Sequence, residues 1–288
     1  MRSICRRNLG FIAVLLNHSR PSSVSSFGLF QTARGKPVSP TLVSRQSSSS
    51  SPSSLSARID TMSCDSTNTM KVLALHGSGG TAEEFPKRLA ALQKALTFHS
   101  QDGDKLKLEI TSVQAPFVKE NGFSWWTMPP GVRSFNAEEY TGFEESAEKV
   151  LSVWEDGGFD IVLGHSQGAI LVGALLALKR TPYHPPGGYI MNGVSFPNPY
   201  FEELEALNQD GNHGGGDDLP RILFLLGKRD QIAPNATGEK LRGMLERGGF
   251  DITSCYHDGG HGFPDEDVEE QTMKTIAEWI IRGRERNR

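Results

Sequence analysis

Between Met1 and Ile59 the chain contains no aspartate and no glutamate. The same stretch holds Arg2, Arg6, Arg7, Arg20, Arg34, Lys36, Arg45 and Arg58, and it is rich in serine, with a run from Ser47 to Ser51. A basic, hydroxylated, acid-free N-terminus has the composition of an organelle transit peptide and too little apolar surface to join a core. Residues 1–60 are therefore expected to form a disordered targeting leader for a mitochondrion or plastid. The alternative is a cytoplasmic protein whose start lies at Met62 or Met70. Phe11 to Leu16 is too short an apolar run, and the serine tract too long, for a secretory signal.

Cysteine is scarce. Cys5, Cys64 and Cys255 provide neither metal-ligand spacing nor a disulfide framework, which suits a reducing compartment. No apolar run reaches membrane-spanning length, so no integral membrane segment is expected. The chain has 30 Lys and Arg against 34 acids; without the eight basic residues of the leader, 22 cations face those 34 acids, a net charge near −12. That balance excludes nucleic acid as an expected partner.

What remains after the leader alternates strands and helices. Strands are expected at Lys71 to Leu75, Leu108 to Val113, Phe159 to Leu163, Tyr189 to Asn192, Arg221 to Leu226 and Ile252 to Tyr256. Between them, helical spacing runs from Thr81, with Glu84 at the capping-box position, to about Leu96, and from Thr141 to Glu155. Further helices are expected at Gln167 to Lys179, near Thr237 to Arg247 and from about Val268 to Arg284. This order predicts one α/β domain over residues 68–286, with a mostly parallel sheet covered by helices on both faces. Asn208 to Asp218 reads as a polar surface loop.

The strand at Phe159 runs into Gly164-His165-Ser166-Gln167-Gly168, a G-x-S-x-G pattern. The pattern alone is weak, because a chain of this composition yields roughly 0.3 such matches by chance. Its context is informative: a serine on a sharp strand-to-helix turn is lifted above the sheet, where it can act as a nucleophile. Serine needs a base, and the base needs a carboxylate to orient it. Two later strands end in candidates. Arg221 to Leu226 leads into Gly227-Lys228-Arg229-Asp230, and Ile252 to Tyr256 leads into His257-Asp258-Gly259-Gly260-His261. Ser166, Asp230 and His261 stand in the chain order of α/β-hydrolases. His257 competes as the base, and Asp251, Asp258 and Asp265 compete as the acid. Asp230 as a turn cap and His261 as a surface histidine are the simpler readings.

A developing oxyanion needs two donors. The Gln167 amide supplies one, and the loop His76-Gly77-Ser78-Gly79-Gly80 supplies the other, from Ser78 or alternatively Gly79. As a phosphate cradle this loop lacks both a Walker lysine and the G-x-G-x-x-G spacing. His76 and His165 are expected to pack rather than react.

His76-Gly77, Trp125-Trp126, Tyr140 to Ser146, Phe159 to Ala169, Gly227 to Asp230 and Gly259 to His261 together resemble the FSH-type serine hydrolases, a small α/β-hydrolase group. The resemblance runs from Met70 to the C-terminus. It implies a Ser166, Asp230, His261 triad on a single-domain α/β-hydrolase fold, acting on small-molecule carboxylic esters, with thioesters hydrolysed by some members. His165 departs from the phenylalanine that the family often carries, and the loop Asn208 to Asp218 looks lengthened.

The uncharged aromatic stretch with Phe123, Trp125, Trp126, Met128 and Phe135 is expected to form an acyl-binding wall, with Phe196, Pro197 and Tyr200 opposite. An apolar acyl chain would follow. The bland alternative is that these aromatics are ordinary core. The chemistry calls for no metal and no cofactor. A non-catalytic ligand-binding module on the same fold is the competing class, and a peptidase the weakest option.

Overall fold

The computed structural model describes residues 68–99, 106–209, 219–264 and 269–286. The expected leader, Asp265 and most of the polar loop at Asn208 to Asp218 lie outside these residues. In chain order the first elements are strand β1 (Thr69–Leu75), helices α1 (Phe85–Arg88) and α2 (Ala90–His99), and strand β2 (Lys107–Val113). Two short strands, β3 (Phe117–Lys119) and β4 (Gly122–Ser124), then form an antiparallel hairpin. Helix α3 (Phe143–Gly157), strand β5 (Ile161–His165), helix α4 (Gln167–Ala177) and strand β6 (Gly188–Asn192) follow. The last units are α5 (Phe201–Gln209), β7 (Arg221–Gly227), α6 (Asn235–Arg247), β8 (Asp251–His257) and α7 (Glu270–Arg286).

Six strands make one parallel sheet in the order β2-β1-β5-β6-β7-β8. β5, β6 and β7 are buried at every residue, which is why they read as unbroken apolar runs rather than as alternating ones. One face packs Phe85, Leu89, Leu92 and Leu96 with Met273, Ile276 and Ile280 of α7. The other face carries α3, α4, α5 and α6 around Leu171, Leu175, Phe224 and Leu241. All eleven residues of α4 are buried, as its apolar sequence predicts.

The chain steps outward from β1 to β2, then returns to the other side of β1 as β5 and continues away from it. Loops leaving β1 and β5 therefore diverge, and a crevice opens at the carboxyl ends of these strands. The glycine loop after β1 and the serine turn after β5 both lie at this switch point.

Three differences from the sequence expectations have local causes. The helix expected from Thr81 begins only at Phe85: Thr81 Oγ1 does accept the Glu84 amide at 3.1 Å, but Pro86 has no N–H to donate back to the preceding turn. That helix also breaks at Leu89, whose amide bonds the Pro86 carbonyl at 3.0 Å. Helix α5 is additional, and its signal is the spacing of Phe201, Leu204 and Leu207, which face the core.

Candidate active site

Ser166 occupies φ 51°, ψ −117° between β5 and α4. Among the described residues only one other non-glycine, Lys179, has a positive φ. This conformation costs on the order of 1–3 kcal/mol, which the surroundings must offset. They do so through contacts only glycine permits: a Cβ on Gly168 would lie 2.3 Å from the Leu75 carbonyl oxygen, and one on Gly164 would lie 2.5 Å from Ala169 Cα. The Ser166 amide donates to the Asn192 carbonyl on the neighbouring strand at 2.9 Å, and its carbonyl accepts the Ile170 amide at 3.0 Å.

His261 Nε2 lies 2.8 Å from Ser166 Oγ, and its Nδ1 lies 2.7 Å from Asp230 Oδ2. The Asp230 side chain is 1% exposed, and its other oxygen accepts the amides of Ile232 and Ala233 at 2.8 and 2.9 Å. Both carboxylate oxygens thus have fixed partners, and the imidazole is oriented between acid and alcohol. The rivals are engaged elsewhere. His257 is buried against Glu269, with Nδ1 2.9 Å from Oε2. Asp258 is exposed and pairs with Lys228 at 2.7 Å, while Asp251 pairs with Arg286 at 3.1 Å from the opposite end of the sheet.

The histidine loop is fastened to the Asp230 loop by main chain. Lys228 N–H donates to the His257 carbonyl at 2.8 Å and Arg229 N–H to the Gly259 carbonyl at 3.0 Å. In the glycine loop, Gly79 N–H is committed to the Phe123 carbonyl at 2.7 Å and Gly80 N–H to the Gly77 carbonyl at 3.0 Å. Of the two candidate donors this leaves Ser78, and it removes the amides that a phosphate cradle would require. Gln167 stands at the first position of α4, where an amide has no helical acceptor. Ser78, Ser166, Gln167 and His261 line one cavity of about 440 Å³.

The family model for "Serine hydrolase (FSH1)" matches residues 62–273. The chain belongs to this family. The chain is 27% identical over 236 residues to the esterase OVCA2 of Danio rerio, covering 71% of this chain and 95% of that protein. It is 26% identical over 209 residues to an esterase of Caenorhabditis elegans, covering 68% and 86%. A single-substitution variant of Arabidopsis thaliana SOBER1 superposes with a TM-score of 0.52 at 19% identity, over 74% of this chain and 99% of that one, a likeness of fold.

Within the FSH1 domain the expected aromatic wall is corrected. Trp125, Trp126 and Phe196 are 0, 1 and 2% exposed, Phe123 packs against the same core, and none of the four lines the cavity. Trp126 stacks on Tyr140 with centroids 4.2 Å apart. Trp125 ties the two donor loops together: its indole N–H donates to the His76 carbonyl at 2.7 Å, and its amide donates to Gln167 Oε1 at 3.0 Å. Ser146 Oγ donates to its carbonyl. Of the expected stretch, Met128 and Phe135 do line the cavity, joined by Val132, Ile170 and Ile232. Nor is the cavity uncharged, since Lys119 and Arg133 belong to its lining. Nothing in the sequence distinguishes these two from other surface cations.

His76 and His165 are structural in the FSH1 domain. His76 Nδ1 donates to the Gly77 carbonyl at 2.8 Å while Nε2 accepts the Ala115 amide at 3.2 Å, and burial lowers its pKa. His165 stacks on Phe85 and bonds Asn192 Nδ2 through Nδ1 at 2.8 Å. Burial, then the neighbouring His261 and Arg88, push its pKa down from 6.5 to about 3. The unfolded chain therefore takes up a proton at this position below pH 6.5 while the native one does not, so stability present above pH 6.5 is lost as pH falls toward 3. Denaturant titration at pH 7 and pH 5 should show wild type losing about 2 kcal/mol more than His165→Phe over that interval. Equal losses would mean that His165 is protonated in the native state.

Proposed function

We propose that this protein hydrolyses carboxylic esters through an acyl-enzyme formed on Ser166. The observation that carries the reading is the unbroken link from Ser166 Oγ through the His261 imidazole to the Asp230 carboxylate, at 2.8 and 2.7 Å. Ser166 Oγ attacks the carbonyl carbon while His261 Nε2 takes its proton. The carbonyl oxygen becomes anionic and is received by the Ser78 and Gln167 amides. The bond to the alcohol then breaks, His261 returns the proton to the leaving oxygen, and water repeats the sequence on the acyl-enzyme. Asp230, immobilised by two amides, keeps Nδ1 protonated and stabilises the imidazolium.

The esterase names of the zebrafish and nematode relatives support this substrate class. Met128, Val132, Phe135 and Ile170 supply an apolar surface for the acyl chain. Thioesters are cleaved by the same steps with a sulfur leaving group, so acyl-thioester hydrolysis stands beside the ester reading. A non-catalytic ligand-binding role is the less favoured reading, because three chemically matched side chains stand at hydrogen-bonding distance. Residues 1–60 are proposed to be an organelle-targeting leader. Among the described residues no helix is long and apolar enough to cross a membrane.

A fluorophosphonate probe should label the folded protein, and peptide mapping should place the adduct on Ser166. Folded protein that resists labelling, or an adduct at another serine, would overturn the proposal.

A further inference from the structure

The cavity beside Ser166 holds two cations and no carboxylate. Lys119, at the end of β3, and Arg133, at the start of the segment leading to Phe135, both line it, as do the hydroxyls of Ser134 and Ser195. This runs against the overall balance of the domain, which carries a net charge near −12 from residue 60 onward. Several cations elsewhere on the surface are neutralised by carboxylates: Arg180 pairs with Glu144, Lys228 with Asp258, and Arg242 with Glu239 and Glu246. Arg133 has no carboxylate partner among the described residues. Lys119 Nζ donates to a neutral oxygen, Ser78 Oγ, at 2.9 Å. Two cations without a carboxylate partner at the edge of a partly enclosed cavity favour an anion entering there.

We propose that the enzyme selects esters that carry an acidic group, held by Arg133 and Lys119 while the carbonyl sits at Ser166. The proposal rests on the esterase reading of that serine. The apolar residues of the same cavity receive the hydrocarbon part of such a substrate, so its preferred substrates are amphiphilic. Arg133 offers a planar fork matched to a carboxylate. Lys119 has a second involvement, because its partner Ser78 carries a proposed oxyanion donor, and its loss will also disturb neutral esters. Arg133 is therefore the cleaner probe.

The test compares kcat/KM for 4-nitrophenyl butyrate, which is neutral, with mono-4-nitrophenyl glutarate, anionic on the acyl side, and 4-butyryloxybenzoate, anionic on the alcohol side. Arg133→Gln should lower the anionic-to-neutral ratio about five- to tenfold for at least one anionic ester, and Arg133→Glu should lower it further. The responding ester identifies the side of the substrate that bears the charge. Added salt should depress the ratio in wild type more than in either variant. Hydrolysis of all three esters with ratios that neither variant moves by more than about twofold would overturn this proposal and leave the esterase reading standing. Wild-type protein that cleaves none of the three would overturn both.

Discussion

Ser166→Ala is expected to lower kcat on a carboxylic ester by about a hundred thousandfold or more, with the fold intact. Alanine removes the one oxygen that can form the acyl-enzyme, and neither His261 nor Asp230 can substitute for it. Alanine at φ 51° keeps the same backbone strain that serine bears, and the amide bond to the Asn192 carbonyl remains. The melting temperature should therefore move little. Residual turnover would come from the Ser78 and Gln167 amides, which can polarise a carbonyl for direct attack by water. Burst kinetics should disappear along with the fluorophosphonate adduct. A purified variant retaining more than about one per cent of wild-type kcat would require a different nucleophile.

Asp230→Asn should lower kcat by about ten thousandfold, and the cause is tautomeric. One oxygen of Asp230 is fixed by the amides of Ile232 and Ala233. An asparagine must turn its carbonyl oxygen to those two donors, which points its NH2 group at His261. The ring then has to accept at Nδ1 and carry its proton on Nε2, facing Ser166 with a donor where a base is required. Activity should recover partly at high pH, as hydroxide replaces the missing base. Nitrogen NMR of the imidazole would report the tautomer directly, and an unchanged Nδ1–H resonance would contradict the argument. Asp230→Ala, which releases the ring instead of inverting it, should show no such tautomer signal.

Much of this frame was legible before any coordinates because the chemistry is placed by topology. Ser166 and Asp230 follow strands that read as buried apolar runs, His261 follows the edge strand β8, and parallel strands deliver their carboxyl-end loops to one edge. The resemblance already put Asp230 ahead of Asp258 and His261 ahead of His257; in the structure Asp258 pairs with Lys228 and His257 with Glu269. The substrate wall, by contrast, was misread. Phe123, Trp125 and Trp126 look alike in composition whether they face a ligand or the core, and the three-residue strands that set their direction leave almost no periodicity to read. Glu269, the buried partner of His257, belongs to no motif at all.

The tie made by Trp125 between the glycine loop and the serine turn has a consequence for how this family can diversify. The spacing of the proposed oxyanion donors is set by an internal brace, whereas the 128–135 segment, which lines the cavity, contributes none of the proposed catalytic atoms. Mutation can reshape that recognition surface, exchanging charge or bulk, while the reaction machinery keeps its dimensions. Substrate range is thus an evolvable trait carried on one segment, separable by inheritance from the chemistry it serves.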